Sequence, residues 1–156
     1  MGSIKTNACR ILDGSKIPYT VLEYSVNDEE LDALTVAKKI GLPPDRVFKT
    51  LVLQGSLLPY FVVVVQSVKE LSLKSTAIQT GNKSCNMLPQ KELLNVTGYI
   101  RGGCSPIGMK KMFPTFIDTS AFCYQTISIS PGLRGLQILI SPHDLKTMTQ
   151  AKIIEC

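Results

Sequence analysis

The chain has 156 residues, 44% of them apolar and 19% charged with both signs present. That is the composition of one globular domain whose core needs neither a disulfide nor a structural metal, and it excludes a disordered or low-complexity chain. The net charge of +5 is uneven, with eight Lys/Arg against eight Asp/Glu in residues 1–70 and nine against four in residues 71–156.

Ile4, Ala8, Ile11 and Leu12 fall at helical spacing, and Gly14 is a natural stop. Met1 to Thr6 fits the loose myristoylation pattern, but the helix is expected to start there. Pro18 to Tyr24 alternates like a strand. Asp28-Glu29-Glu30 is an acidic turn ahead of a second helix, in which Leu34, Ala37 and Ile40 share a face before Gly41 and Pro43-Pro44 end it. Arg46–Gln54 and Leu57–Gln66 are strongly apolar strands joined through Gly55-Ser56, a hairpin signal. Their near-continuous hydrophobicity predicts burial on both faces.

Ser72 caps a short helix through Ile78, closed by Gly81-Asn82. Pro89 opens another, closed by Gly98. Gly98–Gly108 holds four glycines and a proline in eleven residues and predicts an irregular loop. Phe116–Asp118, Tyr124–Ser130 and Leu136–Ile140 read as late strands, the last two joined by the turn 131–135. Ser141-Pro142-His143-Asp144 resembles a capping box that opens a final helix. Strands and helices mix without a steady βαβ rhythm, which predicts an α+β fold in a single domain, 1–156.

The five cysteines, at 9, 85, 104, 123 and 156, are an odd number without a C-x-x-C pair. This argues against a disulfide framework, a zinc site and a thioredoxin-type motif. The apolar run Phe61–Val65 is far too short to span a bilayer, and no secretory signal opens the chain, so the expectation is a cytoplasmic protein without a membrane partner. The basic second half suggests a polyanion, nucleic acid first, with a plain solvated surface as the alternative. With no Trp and few aromatics, a stacking platform for single strands is disfavoured.

Three segments could carry chemistry. Lys49 sits mid-strand in Val47-Phe48-Lys49-Thr50-Leu51-Val52, where it either snorkels at a sheet edge or points into a pocket, there to hold a carbonyl or phosphate or to act as a tuned base. Thr50 would face the other side of an ideal strand, so a joint role needs a twist or bulge. The Gly98–Gly108 loop can bring backbone N–H groups close to a ligand as an anion nest or oxyanion hole, and Arg101, Lys110 and Lys111 flank it. Neither a Walker A nor a Rossmann fingerprint is present. Ser130, ahead of Pro131-Gly132-Leu133-Arg134-Gly135, suits hydrogen bonding to a substrate better than nucleophilic attack, since no base is evident beside it. His143, the only histidine, is expected in the first turn of the last helix, and Cys104 as a small buried thiol.

Taken together these segments resemble the YbaK/EbsC family, which includes the editing domain inserted in bacterial prolyl-tRNA synthetases. The likeness runs from Ile17-Pro18-Tyr19 through the strand around Lys49 and the glycine loop with Lys110-Lys111. It continues through Arg134-Gly135-Leu136-Gln137 to Ser141-Pro142-His143-Asp144-Leu145. The resemblance implies a compact α+β domain with a barrel-like mixed sheet and flanking helices. It implies a hydrolase that cleaves the ester between a wrong amino acid and the tRNA 3′ end, with tRNA as substrate and prolyl-tRNA synthetase as a candidate partner, and with no metal or cofactor.

Residue by residue, the resemblance implies Lys49 as the essential strand lysine that anchors the 3′-terminal nucleotide near its phosphate, with Thr50 beside it, and Tyr24 as the pocket tyrosine. It implies Gly98, Gly102, Gly103 and Pro106 as the loop whose backbone meets the substrate carbonyl, Gly102 and Gly103 being catalytic through their N–H groups. Arg101 and Ser130 complete the substrate-binding set. Pro131 departs from the small residue usual in the family and removes one N–H donor. The segment around Leu31-Asp32, which helps shape the amino-acid pocket, also matches poorly. Without an evident general base, a cysteinyl ester on tRNA(Pro) is the expected substrate, its own thiol attacking the ester carbonyl. The alternatives are an alanyl ester opened by a bound water and a non-catalytic tRNA- or nucleotide-binding module.

Overall fold

The computed structural model describes residues 5–26 and 33–156. The start of the chain with its acylation pattern, the acidic turn at 28–30 and the Leu31-Asp32 segment lie outside the described residues. The helices are α1 (Asn7–Gly14), α2 (Ala33–Ile40), α3 (Leu73–Thr80), α4 (Leu93–Thr97) and α5 (Pro142–Thr149). The strands are β1 (Thr20–Glu23), β2 (Phe48–Gly55), β3 (Phe61–Gln66), β4 (Cys85–Met87), β5 (Thr115–Asp118), β6 (Ile127–Ile129), β7 (Leu136–Ile140) and β8 (Lys152–Ile154).

Helix ends follow their side chains. Thr6, Ser72 and Ser141 each accept a first-turn backbone N–H, as N-caps do. Gly81 and Gly98 close α3 and α4 at φ +80° and +88°, the left-handed region that glycine enters without penalty. Pro89 precedes a 3-10 turn (Gln90–Glu92) that leads into α4. In α2 the expected face is rotated: Val36 and Ala37 are buried while Leu34 is 60% exposed.

The strands make two sheets, not a closed barrel. A three-stranded antiparallel sheet has the order β1-β7-β6, and a mixed five-stranded sheet has the order β4-β2-β3-β5-β8. In the second, β4, β2 and β3 are antiparallel neighbours, while β5 and β8 add parallel to β3. A parallel bridge, Val47 to Ser128, connects the two sheets.

Alternation along β2 sorts its side chains between cores. Phe48 packs with Val64, Ile117, α1 and α5 against the three-stranded sheet. Leu53 packs with Phe61, Val63, Val65 and Ala77 of α3 on the opposite face. Val52 packs with Val62, Leu88, Cys104 and, at their edge, Tyr99. Val62 to Val65 are all buried, as expected of a strand covered on both faces, and each contributes roughly 1.5–3 kcal/mol of burial. Position 49 belongs to the Leu51–Leu53 face and position 50 to the Phe48–Val52 face.

Candidate functional site

The five-stranded sheet has an incomplete edge. β4 pairs with β2 only at Leu53, Gln54 and Gly55, and the Leu88 N–H adds a bond to the Val52 carbonyl at 2.9 Å. From Phe48 to Leu51 no strand among the described residues pairs with that side of β2. Ladder alternation aims Lys49 and Leu51 main-chain groups at β3 and turns those of Thr50 outward, in register with the Ser67 N–H to Val47 carbonyl bond at 2.8 Å.

The open edge is one wall of a cleft of about 490 Å³. Leu88, Gln90 and Leu93 ahead of and within α4 form a second wall, Arg101, Gly102 and Cys104 of the glycine loop a third, and Ser130 and Gln137 of the three-stranded sheet a fourth, with Tyr24 at the rim. The sequence thus brings together Tyr24, Lys49, Thr50, Arg101, Gly102 and Ser130. Lys49 and Thr50 share the cleft without the expected twist or bulge. The β2–β3 register is continuous from Phe48 to Leu53, and the edge itself is the lining.

Lys49 is half-buried, and its Nζ donates to the Lys69 carbonyl at 3.0 Å. Burial pushes its pKa below the ordinary lysine value, and the Glu70 charge pulls it partly back. Lys69 is anchored in turn, its ammonium donating to the Cys156 carbonyl and lying 3.9 Å from Asp118.

Three expected residues sit elsewhere. Gly103 is set back from the cleft because its N–H closes a turn onto the Ile100 carbonyl at 3.0 Å, which removes it as an oxyanion donor. Its Cα faces the backbone of the β6–β7 turn, where an added Cβ would lie 3.3 Å from the Arg134 nitrogen. Gly98 serves as the cap of α4. Pro106 lines a smaller cavity of about 230 Å³, formed with Ile11, Met109 and Met148. Besides Arg101, the loop residues that reach the cleft are Gly102 and Cys104, whose N–H groups have no partner among the described residues.

Ser130 Oγ accepts the Gly132 N–H at 3.1 Å, so the turn after it is held despite Pro131. Gln137 is 6% exposed, and its Oε1 accepts the Ser128 hydroxyl at 2.7 Å. Its Nε2 donors are thereby left to the cleft. The sequence reading missed Gln137 as a site residue. Its one signal was a polar residue in the otherwise apolar stretch Leu136–Ile140.

Among the described residues the cleft holds no carboxylate and no histidine. Burial pushes the Cys104 thiol up to about 12, so it stays protonated at neutral pH. His143 is exposed on α5 and stacks edge-on against Phe122 at 5.1 Å, away from the cleft. Among the described residues no group of His, Cys, Asp and Glu could hold a metal ion, and no helix is long and apolar enough to cross a membrane.

The model of the aminoacyl-tRNA editing domain matches residues 29–148. The chain belongs to the aminoacyl-tRNA editing family. It is an aminoacyl-tRNA hydrolase, and tRNA is part of its substrate. Enterococcus faecalis EbsC, named as a proposed Cys-tRNA(Pro)/Cys-tRNA(Cys) deacylase, is 43% identical over 151 residues, which cover 97% of this chain and 92% of that one. The uncharacterised Bacillus subtilis protein YwhH is 27% identical over 134 residues, covering 84% and 85%. A crystal structure of a proposed trans-editing enzyme for prolyl-tRNA synthetase has a TM-score of 0.80 at 19% identity, covering 96% of each chain, and that likeness bears on the fold. The editing-family α+β fold expected from the sequence is the one observed, with two bridged sheets in place of a barrel.

Proposed function

We propose that the protein deacylates cysteinyl-tRNA, acting in trans on tRNA(Pro) charged by prolyl-tRNA synthetase, and that the thiol of the substrate is the nucleophile. The observation that carries this reading is a cleft rich in donors and empty of a base. Gly102, Cys104, Gln137 and Lys49 can all donate, and among the described lining residues there is no carboxylate or imidazole to take a proton from water. EbsC, with its cysteinyl-tRNA name, supports the same substrate.

The steps balance without any other reactant than water. The cysteinyl sulfur attacks the ester carbonyl, forming a C–S bond, and the carbonyl oxygen becomes an oxyanion. The N–H groups of Gly102 and Cys104 stabilise it, an effect that typically contributes several kcal/mol. Collapse breaks the ester C–O bond, and the thiol proton ends on the released ribose oxygen. Water then opens the cyclic thioester to free cysteine. Lys49 anchors the terminal nucleotide with its ammonium turned to the ribose oxygens, while the outward main chain of Thr50 accepts the α-ammonium. Tyr24 and Ser130 bound the amino-acid end, where a cleft of this kind discriminates one methylene by only roughly 1–3 kcal/mol.

The test is deacylation of Cys-tRNA(Pro), Ala-tRNA(Pro), Ser-tRNA and Pro-tRNA(Pro) under reductant, with Lys49→Ala as control. The reading predicts rapid loss of the cysteinyl species, abolished by the substitution. 2-Aminobutyryl-tRNA(Pro), which replaces the thiol by a methyl group, should persist. Its hydrolysis at the cysteinyl rate would sink the thiol route.

A further inference from the structure

The glycine loop lines the cleft and the β6–β7 turn packs against that loop, and each carries an arginine. Arg134 Nε donates to the Arg101 carbonyl at 3.0 Å. The Arg134 stem lies across Gly102. A Cβ built on Gly102 would sit 3.1 Å from Arg134 Nε and 3.5 Å from its Cγ. Glycine is therefore required at 102 both for its φ of +85° and for room for the arginine. The contact fixes the plane of the guanidinium, whose two terminal nitrogens have no partner among the described residues. Arg101 lines the cleft, and among the described residues its one side-chain hydrogen bond is a long one, 3.4 Å, to Gln90 Oε1.

Neither arginine has a carboxylate partner among the described residues, where the ion pairs are Lys5–Asp13 and Lys69–Asp118. Like-charged guanidinium groups carried on adjoining segments repel one another, and an anion between them relieves that repulsion. A phosphodiester fits the forked donors of arginine better than it fits a lysine ammonium. Lys49 is also already tied to the Lys69 carbonyl inside the wall. A cleft of about 490 Å³ is of the size that takes one small ligand, here the aminoacylated terminal nucleoside. Its phosphate then lies at the mouth, beside Arg101 of the lining and the Arg134 bonded to the Arg101 carbonyl. Ile100 and Leu133, the chain neighbours of Arg101 and Arg134, are exposed and offer apolar faces to the adjoining bases.

We propose that Arg134 and Arg101 form a clasp for the phosphodiester linking the last two nucleotides of the single-stranded tRNA 3′ end. This rests on the deacylase reading and moves the phosphate contact away from Lys49. It also ties binding to catalysis: a phosphate that holds Arg134 in place holds the Arg101–Gly102 backbone, and with it an oxyanion donor.

The test uses the full chain and an uncharged RNA oligonucleotide ending in CCA, with binding read by fluorescence anisotropy across a salt series. Arg134→Gln and Arg101→Gln should each weaken binding about tenfold and make the salt dependence shallower by about 0.7 per lost phosphate contact. Lys74→Gln, outside the cleft, removes the same charge and should do neither. Replacing the last phosphodiester by a neutral methylphosphonate should weaken the native protein but leave Arg134→Gln almost unaffected. Equal weakening of both would overturn the clasp, as would unchanged binding by both arginine variants. Thermal unfolding confirms that the variants are folded. Because the oligonucleotide carries no amino acid, binding can succeed while the deacylation panel fails, so failure of the clasp and failure of the deacylase reading are distinguishable. On charged tRNA, Arg134→Lys should fail to restore KM, since lysine cannot reproduce both the Nε bond and the fork.

Discussion

The Tyr99 hydroxyl donates to the Ile107 carbonyl at 2.6 Å and so pins the two ends of the glycine loop together. Tyr99 is half-buried beside Cys104, and burial pushes its phenol up to about 12. Its N–H is held by the Thr97 hydroxyl at 3.0 Å. Tyr99→Phe keeps the ring and removes only the bond to Ile107. Stability should fall by about 1 kcal/mol, more if the carbonyl stays dry, as read by urea unfolding. The deacylation rate should fall as well, because Gly102 and Cys104 lie between the two pinned ends.

Gly132 meets the same tyrosine from the other side. It sits at φ +111°, and an added Cβ would come within 2.7 Å of a Tyr99 ring carbon. Gly132→Ala should cost about 1–3 kcal/mol from backbone strain alone, before the ring moves. Gly14→Ala, at an open position on α1, should be close to neutral by comparison. Thermal unfolding of the pair separates the crowded glycine from the unconstrained one.

The Ser128–Gln137 bond can be divided into structure and function by a double substitution. Gln137→Met strands the buried Ser128 hydroxyl and should cost about 1–3 kcal/mol. Adding Ser128→Ala removes the stranded group, so the double variant should recover much of that loss. Deacylation should not recover, because the Gln137 amide donor in the cleft is still gone. Urea midpoints and turnover, measured on the same three proteins, check both halves.

Alkaline pH should loosen this region. The unfolded Cys104 thiol ionises near 9 and the folded one at about 12, while Tyr99 moves from 10 to about 12. Both groups hold their protons longer when folded. Their contribution is thus fully present below pH 9 and is lost between pH 9 and 12, at up to about 1.4 kcal/mol per pH unit for each group still protonated. Cys104→Ala should flatten the stability–pH curve in that window. An unchanged slope would mean that Cys104 is not the group responsible.

Much of this architecture was legible because local signals agreed. Ser72, Gly81, Gly98 and Ser141 mark helix ends by hydrogen bonding and left-handed φ, which act within a few residues. Leu136–Ile140 alternates little but is bounded by Gly135 and Ser141, and its limits were read correctly. β4 and β8 were missed because three residues each carry almost no periodicity, and both are fixed by neighbours distant in sequence. Leu34 misled because a helical face was assigned without knowing which side meets the sheet. In the site, residue types pointed to Lys49 and to the glycine loop. They could not show that Gly103 turns away onto Ile100, or that Arg134 reaches back to Arg101, a pairing between residues 33 apart.

Lys49 should separate stability from activity. Its ammonium is half-buried, bonded to one carbonyl and depressed in pKa by desolvation, so folding gains little from the charge. Lys49→Met preserves the stem that packs beside Leu51 and discards the ammonium. Stability at pH 7 should change by less than about 1 kcal/mol, since the carbonyl of Lys69 is left at a half-open site. Above neutrality the native protein should gain relative to the variant. The unfolded lysine binds its proton more tightly than the folded one, and that difference favours the folded state as pH rises toward 10.5. Turnover of cysteinyl-tRNA should nonetheless fall by orders of magnitude at every pH. A variant as stable as predicted that retained its turnover would remove Lys49 from the reaction and leave the backbone donors of Gly102 and Cys104 to carry it.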